Sequence, residues 1–215
     1  MTVSTLLLLS DGRFPDGTHA HSHGLEAAVA AGRVHDASSL ERYVEARLHT
    51  VCVTDAAVAA LAASGHRADL LDAELAARTP SAAVRATSRA LGRSLLRTAD
   101  RLWPDHGIER IDGRPPMQPV VFGAVAGHLG CSPLETATGL AHGAAAALTT
   151  AALRLLSLDP FSVAAVLDRL RPTIDATAAA GASCPDPTAL PHRSTPFAEL
   201  DPELQLVQEL RLFGS

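Results

Sequence analysis

The sequence predicts an all-α, single-domain bundle of about seven to nine helices, followed by a proline-rich C-terminal tail. Three observations carry this. Apolar residues make up 47% of 215 positions, enough for one sizeable core. Aromatic residues supply only 3% and alanine dominates many windows, a composition that suits closely approaching helices. Runs of β-branched residues with alternating polarity, the mark of half-buried strands, are hard to find.

The elements follow in order. After a short apolar run at Leu6–Leu9, Phe14 to Glu26 is rich in turn formers and holds His19, His21 and His23 at alternate positions. Ser22 is placed to cap a helix starting at His23. Ser38 and Glu41 have capping-box spacing, and the helix they open continues to about Ser64, where Gly65 stops it. A shorter helix spans about 68–78. Thr79-Pro80 then caps a helix reaching about Trp103.

Residues 104–119 hold four prolines and no periodic apolar face, so they read as a loop. Val120 to Leu129 reads as a buried helix ended by Gly130. Ser132-Pro133-Leu134-Glu135 is a capping box with proline at the first helical position, opening a long helix to about Leu158. Asp159-Pro160 caps the next helix, and Pro172 separates it from a last alanine-rich segment. We divide the chain into a helical unit, 1–180, and a linker and tail, 181–215. Five prolines between 181 and 202 predict extended chain there, with a short helix at 203–213 or folding only on a partner.

Charge and motifs exclude several functions. The formal net charge is −5, all 18 cations are arginine, and nothing marks a nucleic-acid surface. Cys52, Cys131 and Cys184 lie far apart and suggest neither disulfide nor zinc knuckle. No basic segment precedes Leu6–Leu9, so a signal peptide is not expected. The stretch 136–158 carries His142 and Arg154 and reads as a buried helix rather than a membrane span. A cytoplasmic protein without a membrane partner is expected. No G-x-x-x-x-G-K-[ST], G-x-S-x-G or H-E-x-x-H motif is present, so no catalytic residue is proposed.

Three features remain. The alternate histidines invite a metal reading, because neutral imidazole ligates nickel and zinc. On a helix they would splay apart, which leaves His19 and His21 as weak metal candidates. A stand-alone metal-binding protein or metalloenzyme built on His19, His21 and His23 is the alternative reading. Arg85, Arg89, Arg93, Arg97 and Arg101 recur every four residues with no acid between 79 and 98, so the ladder needs carboxylates from elsewhere. Gly123 with Gly127, and Gly139 with Gly143, have the spacing of close helix packing.

Several segments, read together, resemble one family. Pro15-Asp16-Gly17, His19, His21 and Ser22-His23-Gly24-Leu25-Glu26 resemble the N-terminal signature of UreF urease accessory proteins. Ala30-Ala31-Gly32-Arg33-Val34, the Ser88 to Arg93 stretch, Ala151 to Leu158 and the terminus Arg211-Leu212-Phe213-Gly214-Ser215 follow in the family's order. Histidines replace the usual aromatics at 19 and 21, and an arginine-histidine-glutamate stretch before the terminus is missing.

The resemblance implies a homodimer that assembles with the scaffold UreD (also called UreH) and the GTPase UreG and helps deliver nickel to apo-urease. It implies no tightly bound cofactor, with nickel handled only transiently by the complex. His19, His21, Ser22, Gly24 and Glu26 are then expected at a partner-facing surface. Arg211, Leu212 and Phe213, with Leu210, are expected to dock on another chain.

Overall fold

A computed structural model describes residues 3–193 and 195–206. Among them eleven α-helices and no strand are present: α1 (Val3–Leu9), α2 (Leu25–Ala30), α3 (Ala37–His49), α4 (Val51–Ala63), α5 (Ala68–Ala77), α6 (Ala82–Leu102), α7 (Gln118–His128), α8 (Pro133–Leu156), α9 (Pro160–Arg169), α10 (Arg171–Ala182) and α11 (Pro196–Leu206).

The centre is α4. Ten of its thirteen residues are buried, as a helix apolar on all sides must be. It packs against α7, α8 and α10. Small residues set the spacing. A Cβ on Gly123 would fall 2.2 Å from the Ala59 carbonyl oxygen, one on Gly127 2.7 Å from that of Ala63, and one on Gly181 2.8 Å from the Ala56 Cβ. Of the second glycine pair, Gly139 faces Leu6 of α1 while Gly143 faces open space.

The helix starts at α8 and α9 lie where the sequence put them. Ser132 and Glu135 cap each other's backbone reciprocally, and Asp159 accepts from the Ser162 amide at 2.9 Å. Others differ. The helix expected across 38–64 breaks at Thr50, where the two halves are bent by 46°. Thr50 Oγ1 donates to the Ala46 carbonyl at 2.7 Å, a local bond that competes with the helical ladder. The capping box of α3 is Asp36 with Ser39, not Ser38 with Glu41, because the Asp36 carboxylate, two residues earlier, accepts from the Ser39 amide at 2.7 Å. Ser81 caps α6 in place of Thr79, whose hydroxyl donates to the Leu75 carbonyl instead.

The helix count exceeds seven to nine for three reasons: α1 forms, the 38–64 helix divides, and α11 forms. The last corrects the expectation of extended chain across 181–202. Pro196 opens α11 and Pro202 lies inside it, while α11 packs on α2 and α6. Contacts with neighbouring helices outweigh the backbone bond that Pro202 removes. The helix α8 has the length and composition of a membrane span, yet it packs against α4, α7, α9 and α10.

Candidate functional site

The signature segment is built onto α6. Phe14 is buried and stacks on Trp103, with ring centroids 6.3 Å apart. Thr98 donates to the Pro15 carbonyl at 2.9 Å. Asp16 accepts from both the amide and hydroxyl of Thr18, closing a side-chain turn. Gly17 takes φ of +88°, with Ser94 Oγ 3.3 Å from where its Cβ would be.

His19 lies in the 3-10 turn Thr18–Ala20, and its side chain falls outside the described residues. His21 and His23 come together, their ring centroids 6.4 Å apart. Burial first, then Arg47 and His21, push the His23 imidazole down to about 3, so its ring is neutral. Among the described residues, no three His, Cys, Asp or Glu side chains gather where they would hold a metal ion.

Ser22, Gly24 and Glu26, expected at a partner-facing surface, are buried within the isolated chain. The reason is the C-terminal segment. Gly24 adopts φ of +85°, and a Cβ there would lie 3.1 Å from the Asp201 Cβ and 3.2 Å from Pro202 Cδ. With His23 also left-handed at φ 50°, the helix starts at Leu25 rather than His23.

That C-terminal segment forms a strap. Thr54 donates to the Pro191 carbonyl and Arg78 to that of Leu190. Glu199 accepts from the Ser81 amide at 2.8 Å, and Glu203 accepts from the Ser81 hydroxyl at 2.6 Å and the Ala83 amide at 2.8 Å. Two carboxylates from α11 thus serve the first turn of α6, where amides lack helical partners. The Ala83 and Ser81 donors hold the Glu203 carboxyl below the usual range. Arg33 pairs with the fully buried Asp201 and lies over the Phe197 ring at 4.4 Å. Burial pushes the Asp201 carboxyl up against the pull of Arg33.

Two cavities, of about 310 Å³ and 100 Å³, lie side by side, and the strap walls the smaller one. His23, Arg47, Val51, Asp55, Leu91 and Gln118 line both. Burial pushes Asp55 up to about 7 and the Cys52 thiol up to about 12. Cys52 is therefore a neutral thiol at physiological pH.

Part of the arginine ladder is neutralised from within. Arg89 reaches both oxygens of Asp72, at 2.8 and 3.2 Å, and donates to the Pro115 carbonyl at 3.1 Å. Asp72 also accepts from the Met117 amide, joining α5, α6 and the end of the long loop. Arg85 donates to the Thr79 and Pro80 carbonyls. Arg93, Arg97 and Arg101 are exposed.

Arg211, Leu212 and Phe213 lie outside the described residues. Sequence reading passed over Asp55, Arg47 and Asp201, and placed Arg33 only within a family segment, with no role of its own. One signal was visible: Asp55 is the lone charge in the apolar run of α4. Arg33 and Asp201 are 168 positions apart, and nothing local pairs them.

Fold and site define an all-helical protein whose charged residues tie distant segments of the chain together. Comparison with known proteins gives that class its family. The UreF family model matches residues 34–171. A urease accessory protein UreF of Mycolicibacterium vanbaalenii is 40% identical over 222 aligned residues, covering 100% of this chain and 99% of the relative. One from Mycobacterium sp. strain JLS is 42% identical over 86% of this chain and 87% of its own. One from Mycobacterium tuberculosis is 41% identical over 79% and 80%. The chain belongs to the UreF family of urease accessory proteins, and it is not an enzyme.

Proposed function

We propose that this chain acts in the nickel-delivery complex that matures the urease metallocentre. It forms a homodimer in the cytoplasm, binds the scaffold UreD/UreH, contributes to the surface that the GTPase UreG recognises, and through them serves apo-urease. Nickel is cargo here, handled transiently. The observation that carries this reading is the 40% identity to a protein named urease accessory protein UreF along the full length of both chains. The physical setting supports it: polar grips between segments, and apolar Leu210, Leu212 and Phe213 near the end of the sequence.

The test is reconstitution. The tagged chain, co-expressed with its own organism's scaffold and GTPase, should retain both through size-exclusion chromatography. Removing its gene should leave urease protein present but nickel-poor and inactive. Full urease activation without it would overturn the reading.

A further inference from the structure

Asp55 lines both interior cavities, and no hydrogen bond or ion pair reaches its carboxylate among the described residues. The strap supplies one wall of the smaller cavity through Arg193, Glu199 and Pro202. Charged and titratable groups face Asp55 from every side. Arg47 of α3 favours its ionised form, Glu199 of α11 opposes it, and Cys52 on its own helix stays protonated. His23 is neutral, while Arg78 after α5 and Arg193 of the strap complete the smaller cavity. The larger cavity adds Asp11, Asp16, His21 and Arg154.

The strap is mounted in an unusual way. Its carboxylates grip the body through Ser81, Ala83 and Arg33, while Phe197, Leu200 and Leu204 each remain 52% exposed. An amphipathic helix ordinarily buries its apolar face. Here the described hold combines Pro202 against Gly24 with these polar contacts, each worth little net and each sensitive to nearby charge. New negative charge at Asp55 acts on the one acid of the strap that lines the same cavity, Glu199.

We propose that Asp55 and the strap form a proton-controlled latch: with Asp55 protonated α11 stays seated, and ionisation of Asp55 repels Glu199, lifts α11 from α6 and uncovers Gly24. The rise of the Asp55 carboxyl to about 7 places the transition near neutrality.

Hydrogen exchange of the full chain tests this, with protection factors corrected for the intrinsic effect of pH. From about pH 6 to about pH 8.5, protection across 196–206 should fall about tenfold or more in the wild type, while α7 holds its protection. In Asp55→Asn, which cannot ionise, strap protection should stay level over that range. Should Asp55→Asn fail to fold, Glu199→Gln decides. It keeps an acceptor for the Ser81 amide but lacks the charge, so its loss should be under about threefold. Equal losses in wild type and variant, or wild-type protection that ignores pH, overturn the latch.

Discussion

Asp55 shows how one side chain imprints a pH dependence on the whole fold. Its carboxyl is pushed up to about 7 by burial, against an ordinary value of 3.8. A carboxyl raised in the folded state contributes its stability below the unfolded value, and that contribution is lost as pH rises toward 7. Replacing Asp55 by Asn removes the titration while keeping shape and polarity. At about pH 8 the variant should be more stable by about 3–4 kcal/mol, or about 6–16 °C in Tm for a chain of this size. At about pH 4 the two should coincide. Thermal melts at both values check it, and an equal difference at each would mean the gain comes from packing instead. Asp72 is placed differently: its carboxylate accepts from Arg89 and from the Met117 amide. Removing it in Asp72→Ala would leave the buried Met117 amide without its acceptor and the part-exposed Arg89 without its carboxylate. A loss of about 1–3 kcal/mol is expected by chemical denaturation.

At the scale of elements, the sequence was legible where the rule is local. The Ser132–Glu135 box, the Asp159 cap and the glycine stops at Gly65 and Gly130 all follow from side chains within four positions of the backbone they serve. It was illegible where two nearby residues competed. Asp36 displaced Ser38, Ser81 displaced Thr79, and Thr50 turned a continuous helix into two. The helix α11 was hidden for a different reason: five prolines argue against a helix, and the partners that stabilise it lie more than a hundred positions away. The close α4–α7 contact was readable as Gly123 and Gly127, though not its partner helix. A methyl at Gly123 would press on the Ala59 carbonyl and the Ala62 Cβ, both fixed by a buried helix. Gly123→Ala should therefore destabilise the chain by about 1–3 kcal/mol or more, lowering Tm by at least about 2 °C. An unchanged Tm would mean that α7 slides away from α4 without penalty.

For the whole molecule, the bundle was legible in composition while the site was only half so. The signature segment 14–26 stood out in the sequence as unusual, and the structure gives it a place: seated on α6 and covered by α11. Its burial could not be read from the residues themselves, since a Ser-x-Gly-Leu-Glu turn looks the same exposed or covered. The terminus carries the remaining prediction. Leu210, Leu212 and Phe213 come four to seven positions after the last residue of α11 in the sequence, and α11 already leaves Phe197, Leu200 and Leu204 half exposed. Each large apolar side chain gains about 1.5–3 kcal/mol on full burial before ordering costs. A partner that covers this end therefore has several such side chains to work with, and Arg211 adds a forked donor for a carboxylate. The described grips that seat α11 on the body, at Ser81, Ala83 and Arg33, run through Glu199, Glu203 and Asp201. Deleting 210–215 should accordingly leave the helical circular dichroism and Tm of the isolated chain nearly unchanged, while removing scaffold binding and urease activation. A truncated chain that still assembles the complex and activates urease normally would show that docking rests on the body alone.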